Sequence, residues 1–237
     1  MLRALEGMGL HTAGIVDDRG KYIVLRVVGS SGTYVVKVPK NIVDPDAPPT
    51  GLSMESECRA SRVLASCPNV ASSRVVGLEG ARAVLREFFP RTLRDEIEEG
   101  LDEPRVARYT KCLARALECI HRRGYAVADL KPENVGVRSG EAYVMDLDSA
   151  TPLYTRPRSY TPSYAAPELL KPPYKILRES DLYQLGLVLR EMLDSCSDCG
   201  NELDTLCKKL LDTNPFRRGS AREVLNELSR LCIARGY

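Results

Sequence analysis

Hydrophobic residues in the first third of the chain follow the spacing of β-strands. β-Branched residues dominate positions 22–28 and 33–38, and the turn Gly-Ser-Ser-Gly at 29–32 separates the two runs. Two such runs around a glycine-containing turn predict a β-hairpin. Shorter runs of the same type at 74–77 and 82–85 predict two more strands.

Helical spacing appears once before residue 90 and dominates after it. Ser53 is a suitable N-cap, and Ala60, Leu64 and Cys67 share one face of the helix that would follow. Apolar spacing after Pro90 predicts helices at 106–123, 180–193, 201–212 and 221–234. The sequence therefore predicts a small β-rich lobe at residues 1–89 and a larger helical lobe at residues 90–237.

Composition is typical of a folded protein. The 237 residues are 43% hydrophobic and 28% charged, which excludes a disordered or low-complexity chain. The net charge of +2 gives no indication of nucleic-acid binding. No apolar run is long enough for a membrane span, and the N-terminal residues lack the core of a signal peptide. We therefore expect a cytoplasmic protein that binds neither membrane nor nucleic acid.

The eight cysteines first suggest a metal site. Cys196, Cys199 and Cys207 have a spacing that invites zinc, but the only histidines are His11 and His121, and no further Cys-x-x-Cys pair completes four ligands. One Gln, six Asn and abundant charge are a thermophile-like trend. The cysteines are therefore expected to be either buried thiols or internal disulfides, and the sequence does not decide between the two.

Five residues have the side chains that phosphoryl transfer requires. In the segment Asp129-Leu-Lys131-Pro-Glu-Asn134, a carboxylate and an amide lie at the two ends of one tight loop, with a cation between them. Such a loop presents a base to a hydroxyl, an amide oxygen to a metal ion and a lysine to phosphate charge. A strand-like run ends at Asp146, and the earlier hairpin ends at Lys37.

In this order the motifs resemble the eukaryotic-type Ser/Thr protein kinases. Lys37 matches the strand lysine that holds phosphates, residues 129–134 match the catalytic loop, and Asp146-Leu-Asp148 stands where Asp-Phe-Gly is expected. Further matches are Ala-Pro-Glu168, the helix that begins Ser-Asp181, and Arg218. The resemblance implies an α+β, bilobal protein kinase-like fold in a compact prokaryotic or archaeal member. It also implies a brace from Asp181 to the catalytic loop and a salt bridge between Glu168 and Arg218.

The resemblance further implies ATP-dependent phosphorylation of Ser/Thr hydroxyls in protein substrates. Asp129 and Lys131 would be catalytic, and Lys37 would pair with a helix glutamate. Glu55 and Glu57 are both candidates; Glu57 is preferred because it shares the face of the buried helix positions. Mg²⁺, with Mn²⁺ as the alternative, would be held by Asn134, Asp146 and Asp148. ATP would also contact Gly20, Val35, Glu87 and Phe89.

Four positions depart from the family pattern. Only Gly20 falls where a glycine of the phosphate-covering loop is expected. Ala128 replaces the usual Arg before the catalytic aspartate of the family. The charged Arg86 occupies the position that controls access to the pocket behind the adenine. Asp148 replaces a glycine and either binds metal or forms an Asx turn. These departures leave two alternatives to the protein kinase: a pseudokinase scaffold that binds nucleotide or protein, and a small-molecule kinase. The oligomeric state is not indicated.

Overall fold

The computed structural model describes residues 2–18, 22–42, 51–78 and 80–235. They form two compact units, the first comprising Met1–Ser66 and Ala71–Phe88, the second Cys67–Val70 and Phe89–Tyr237. We predicted a division between residues 89 and 90. Phe89 and the short segment Cys67–Val70 belong instead with the second unit.

The first unit is a β-sheet with two helices. Its elements are α1 (Leu2–Gly7), β1 (His11–Asp17), β2 (Tyr22–Gly29), β3 (Gly32–Pro39), α2 (Gly51–Leu64), β4 (Ser73–Leu78) and β5 (Ala81–Glu87), with a 3-10 turn at Lys40–Ile42. Within the described residues the sheet is antiparallel, in the order β1-β2-β3-β5-β4. The predicted hairpin is confirmed as β2–β3, with Gly29 opposite Gly32.

One buried cluster of this unit lies on one face of the sheet, and a second, formed by Tyr22, Met54, Cys58 and Val84, includes residues of α2. Alternate residues of β2 and β3 are buried in the first cluster, among them Leu25, Val27, Val36 and Val38, and Leu5 of α1 packs against them. The prediction that α2 begins with Ser53 as N-cap is wrong. The helix starts at Gly51, so position 53 already lies in its first turn.

The second unit is mainly helical. Its helices are α3 (Leu93–Glu99), α4 (Glu103–Arg122), α5 (Arg178–Asp194), α6 (Asn201–Leu210) and α7 (Ala221–Arg235). Its strands are β6 (Arg91–Thr92), β7 (Tyr125–Ala126), β8 (Val135–Arg138), β9 (Glu141–Val144) and β10 (Thr151–Pro152), with 3-10 turns at Pro132–Asn134, Pro162–Tyr164, Pro167–Leu170 and Pro215–Arg217. The four helices predicted after residue 90 are confirmed as α4 to α7. Together the two units make an α+β protein, as expected.

Capping and burial explain the two long helices of this unit. The Asp102 side chain accepts a hydrogen bond from the Arg105 backbone N–H at the start of α4, and Gly124 with φ of 79° follows its end. Helix α5 is buried over much of its length, including its polar residues Asp181 and Gln184. Buried polar side chains need hydrogen-bond partners, which α5 finds in the loop before β8.

Both open alternatives for the cysteines occur in the structure. Cys67–Cys119 and Cys196–Cys199 are disulfides, whereas four other cysteines are free thiols, of which Cys207 is one of the buried ones. No group of three or more His, Cys, Asp or Glu side chains in the described ranges is placed to hold a metal ion. No helix among the described residues is long and apolar enough to cross a membrane.

Candidate active site

Lys37 and Glu57 form an ion pair inside the first unit. Lys37 Nζ on β3 lies 3.1 Å from Glu57 Oε2 on α2, and 4.6 Å from the ring centroid of Tyr22. Glu57 is buried, whereas Glu55 is exposed. A buried carboxylate requires a partner of opposite charge, and Lys37 supplies it. Of the two candidate glutamates, the structure therefore pairs Glu57 with the lysine.

The positions expected to contact adenine are divided between the two units. Val35 is buried on β3, and Glu87 ends β5, where its Oε1 accepts a hydrogen bond from the Ser72 N–H at 2.7 Å. The buried Phe89 belongs to the second unit, and its ring centroid lies 5.3 Å from that of Tyr143. Gly20 lies outside the described residues.

The loop at residues 129–134, which the resemblance matches to the catalytic loop, is held by hydrogen bonds among its own side chains and with Thr161. Asp129 Oδ1 accepts a hydrogen bond from the Thr161 N–H at 2.8 Å, and Oδ2 lies 3.1 Å from Lys131 Nζ. Asn134 Nδ2 donates to Asp129 O at 2.9 Å and to Oδ2 at 3.2 Å. Lys131 Nζ also donates to Thr161 Oγ1 at 2.6 Å. The Asp129 carboxylate is thus fixed beside a cation and a hydroxyl.

Helix α5 is hydrogen-bonded to the backbone just before this loop. The buried Asp181 carboxylate accepts hydrogen bonds from the N–H groups of Val127 at 2.9 Å and Ala128 at 3.0 Å. Ala128 has φ of 67°, in the left-handed region that is unfavourable for a residue with a Cβ, so these bonds hold a strained backbone. The predicted bracing by Asp181 is confirmed.

A second brace was missed in the sequence. Gln184 Nε2 donates to Ala128 O at 2.9 Å, and its Oε1 accepts from the Leu130 N–H at 3.0 Å. The available signal was weak but specific. Gln184 is the only glutamine of the chain, and it lies three residues after Asp181 on the same helix face.

Asn134 and Asp146 are brought together by the backbone. The Met145 N–H donates to Asn134 O at 2.9 Å, and Asp146 Oδ1 accepts from the Asp148 N–H at 2.9 Å. The Asx turn at this point is therefore made by the Asp146 side chain. The Asn134 amide nitrogen donates to Asp129, which leaves the amide oxygen Oδ1 of Asn134 to bind a cation. An amide oxygen with one or two carboxylates is a donor set that fits Mg²⁺, which takes its other ligands from water and phosphate.

The predicted salt bridge between Glu168 and Arg218 is confirmed. Arg218 is fully buried and bidentate, with NH1 2.8 Å from Glu168 Oε1 and NH2 2.9 Å from Oε2. Ser180 Oγ donates to Oε1 at 2.7 Å. Burial by itself would raise the pKa of Glu168, but the hydrogen bonds from Arg218 and Ser180 outweigh it and lower that pKa. This pair anchors the end of the segment from Asp146 to Glu168, which corresponds to the activation segment of the family that the sequence resembles.

An ion cluster beside the loop was also missed in the sequence. Arg94 on α3 lies 2.9 Å from Glu133 Oε1 through Nε and 2.7 Å from Glu191 Oε2 through NH1. Tyr164 hydrogen-bonds to Arg94 and Glu191, and burial together with Glu191 raises the pKa of its hydroxyl. The cluster ties α3, the catalytic loop, the activation segment and α5 together.

Comparison with known proteins agrees with this arrangement. The protein kinase domain family matches residues 24–198. A Wee1-like protein kinase of Oryza sativa subsp. japonica is 29% identical over 136 residues, covering 48% of this chain and 26% of the relative. Mitogen-activated protein kinase kinase kinase 17 of Arabidopsis thaliana is 30% identical over 154 residues, covering 57% of this chain and 40% of the relative.

A bacterial relative extends the match further along the chain. A probable serine/threonine-protein kinase of Clostridium perfringens is 27% identical over 205 residues, covering 70% of this chain and 30% of the relative. The chain thus spans less than half the length of these curated relatives. The family match covers most of the chain and includes Lys37, the catalytic loop, Asp146 and Asp181. The chain therefore belongs to the protein kinase domain family.

Proposed function

We propose that this chain transfers the γ-phosphoryl group of ATP to Ser/Thr hydroxyls of protein substrates. The observation that carries the proposal is the Asp129 carboxylate, held by the Thr161 N–H and beside the Lys131 ammonium. A fixed carboxylate with an adjacent cation can accept a proton while negative charge develops on a phosphoryl group. Lys131 and Thr161 also support Ser/Thr specificity. In the family that the sequence resembles, a lysine and a threonine at these positions are typical of the Ser/Thr kinases.

Each polar residue of the loop has one task in the proposed reaction. Asp129 orients the substrate hydroxyl and takes its proton as the new O–P bond forms and the bond to the β–γ bridging oxygen breaks, leaving ADP. Lys131 balances the charge of the transferred group. Asn134 and Asp146 would hold Mg²⁺, which neutralises phosphate oxygens when bound.

The first unit has residues suited to binding the nucleotide. Lys37, whose ammonium is positioned by Glu57, is proposed to bind the α- and β-phosphates. Val35 and the backbone at Glu87 are proposed to contact adenine, whereas the contact of Phe89, a residue of the second unit, stays a prediction from the sequence. Gly20 remains a prediction from the sequence, as do Asp148 as a further metal ligand, Mn²⁺ as an alternative ion, and a cytoplasmic location.

A non-catalytic scaffold is the second candidate. It is favoured by Ala128, which replaces the usual arginine, and by Asp148, which replaces a glycine. Against it, the side chains that the chemistry requires are present and hydrogen-bonded at the loop. The two functions differ in turnover, which the same assay measures.

The test is phosphorylation of myelin basic protein and casein with γ-labelled ATP and Mg²⁺. Asp129→Ala should lower turnover at least about a hundredfold, because it removes the proton acceptor and orienting group. The matched control is Asp198→Asn, which changes an exposed aspartate and should leave turnover unchanged. Phosphoamino acid analysis should return phosphoserine or phosphothreonine. Turnover by Asp129→Ala close to wild type would refute the catalytic assignment, and no turnover by the wild type would favour the scaffold.

A further inference from the structure

A pocket of about 480 Å³ lies in the second unit, away from the catalytic loop. Its walls come from α4, α7 and Pro68, and no lining residue has a task in the proposed phosphoryl transfer. The volume is within the range of small-molecule sites in proteins. What the pocket binds must therefore be inferred from its own side chains.

Arginine dominates the polar lining of this pocket. Arg115, Arg122, Arg123 and Arg222 all line it, against the single carboxylate of Glu118. Three of the lining positions on α4, namely 115, 118 and 122, are spaced three and seven residues apart, so the helix places them on one face.

Two of the four arginines that line the pocket have no carboxylate partner among the residues that the structure describes. Arg222 donates through Nε and Nη2 to Glu118 Oε1, at 3.2 and 3.0 Å. The positive charge of Arg222 is therefore neutralised by the Glu118 carboxylate. Arg115 NH1 donates only to an uncharged acceptor, Asn69 Oδ1, at 3.3 Å. The Arg122 side chain makes no hydrogen bond or ion pair with any residue that the structure describes. Among the described residues, the guanidinium groups of Arg115 and Arg122 thus have no carboxylate partner, and this charge favours an anionic ligand.

The part of the pocket wall that contains Pro68 is joined covalently to α4. The Cys67–Cys119 disulfide joins the segment that contains Pro68 to α4, and the Arg123 guanidinium lies against both sulfur atoms. A wall tied in this way loses little conformational entropy when a ligand binds. The backbone beside Pro68 is therefore held in place next to the positively charged side chains.

We propose that this pocket binds a phosphate monoester with a small apolar group. The planar guanidinium of arginine matches the geometry of phosphate oxygens and donates two parallel hydrogen bonds to them. Pro68 and Leu225 add apolar surface beside Arg115 and Arg122. The pocket is also much larger than a phosphate ion, which leaves room for the organic part of an ester.

Phenyl phosphate is the probe, titrated into the full chain by isothermal calorimetry at low salt, beside inorganic phosphate and phenol. Phenyl phosphate should bind more tightly than either. Arg122→Ala and Arg115→Ala should each weaken its binding at least about tenfold, because each removes a charge-assisted contact. Arg108→Ala is the matched control: it is an exposed arginine of α4, seven residues before Arg115, and it does not line the pocket.

Lys37→Ala separates this site from the proposed phosphate contacts of the nucleotide. Retained binding in Lys37→Ala together with loss in Arg122→Ala supports the proposal. It is overturned if wild type does not bind the probe, if Arg108→Ala loses as much affinity as Arg122→Ala, or if only Lys37→Ala loses binding. Equal affinity for inorganic phosphate would refute the ester. Far-UV circular dichroism must show that each variant is folded, and Arg122 is suitable because it is exposed and without a described partner.

Discussion

Arg218→Met should destabilise the second unit strongly. The substitution keeps an apolar side chain of comparable length but removes a fully buried guanidinium. The substitution removes both hydrogen bonds to Glu168, at 2.8 and 2.9 Å. It also removes the hydrogen bonds to the carbonyl oxygens of Asp212 and Glu179, each at 2.8 Å. The Ser180 hydroxyl and the Glu168 backbone N–H would then remain to stabilise the Glu168 carboxylate.

The size of the effect follows from the charge that is left behind. Removing one partner of a buried ion pair costs about 3–5 kcal/mol, because the remaining charge is desolvated without compensation. Glu168→Gln with Arg218→Met removes that charge as well. The double variant should therefore be more stable than Arg218→Met alone by about 1 kcal/mol or more, so the two substitutions are not additive.

The pH dependence supplies an independent check. The pKa of Glu168 lies below its ordinary value of 4.5 in the folded protein, so its pairing stabilises the fold above that value and is lost as pH falls through the folded-state pKa. In Arg218→Met, burial without the cation should raise the pKa of Glu168. The stability difference between wild type and Arg218→Met should therefore shrink as the pH is lowered.

Urea unfolding measures these differences. The chain has no tryptophan, so far-UV circular dichroism and tyrosine fluorescence are the signals, and the denaturant dependence must be equal among the variants compared. Arg222→Met, at an exposed arginine whose partner is on the surface of α4, is the matched control and should cost less than about 1 kcal/mol. A loss below about 1 kcal/mol for Arg218→Met, or strict additivity with Glu168→Gln, would refute the reasoning.

Three further predictions concern the metal site, the disulfide and the activation segment. Asp148→Gly should change the Mg²⁺ dependence of turnover if Asp148 is a ligand; identical titrations would exclude it. Replacing Cys67 and Cys119 by serine should lower the free energy of unfolding by about 4 kcal/mol, from the 52-residue separation that the disulfide closes; unchanged urea midpoints would contradict this. Thr155 and Ser159 lie in the activation segment, where the resemblance predicts phosphorylation. Thr155→Ala and Ser159→Ala should leave turnover within about twofold, because Ala128, before Asp129, has no charge to bind a phosphate. Phosphatase-treated protein is the comparison, and a tenfold loss restored by rephosphorylation at either site would show the inference to be wrong.

Local patterns in the sequence predicted much of the fold. The β2–β3 hairpin and helices α4 to α7 follow from period and turn residues, which act over a few positions. Two short helices were missed. Helix α1 is only six residues long and is stabilised by packing of Leu5, whereas α3 has a capping box from Thr92 and Asp95 that was present in the sequence.

The sequence by itself also determined the residue types of the candidate site and their order, and these were sufficient for the family resemblance. Helix periodicity was sufficient to predict Glu57 as the partner of Lys37. Only the tertiary structure decided which distant residues meet. The second brace by Gln184, the pairing of Cys67 with Cys119 and the arginine pocket join residues that lie far apart in the sequence, in the pocket from Pro68 to Leu225. The reason is physical: periodicity records which face of an element is buried, whereas partners across elements are selected by packing that no local spacing encodes.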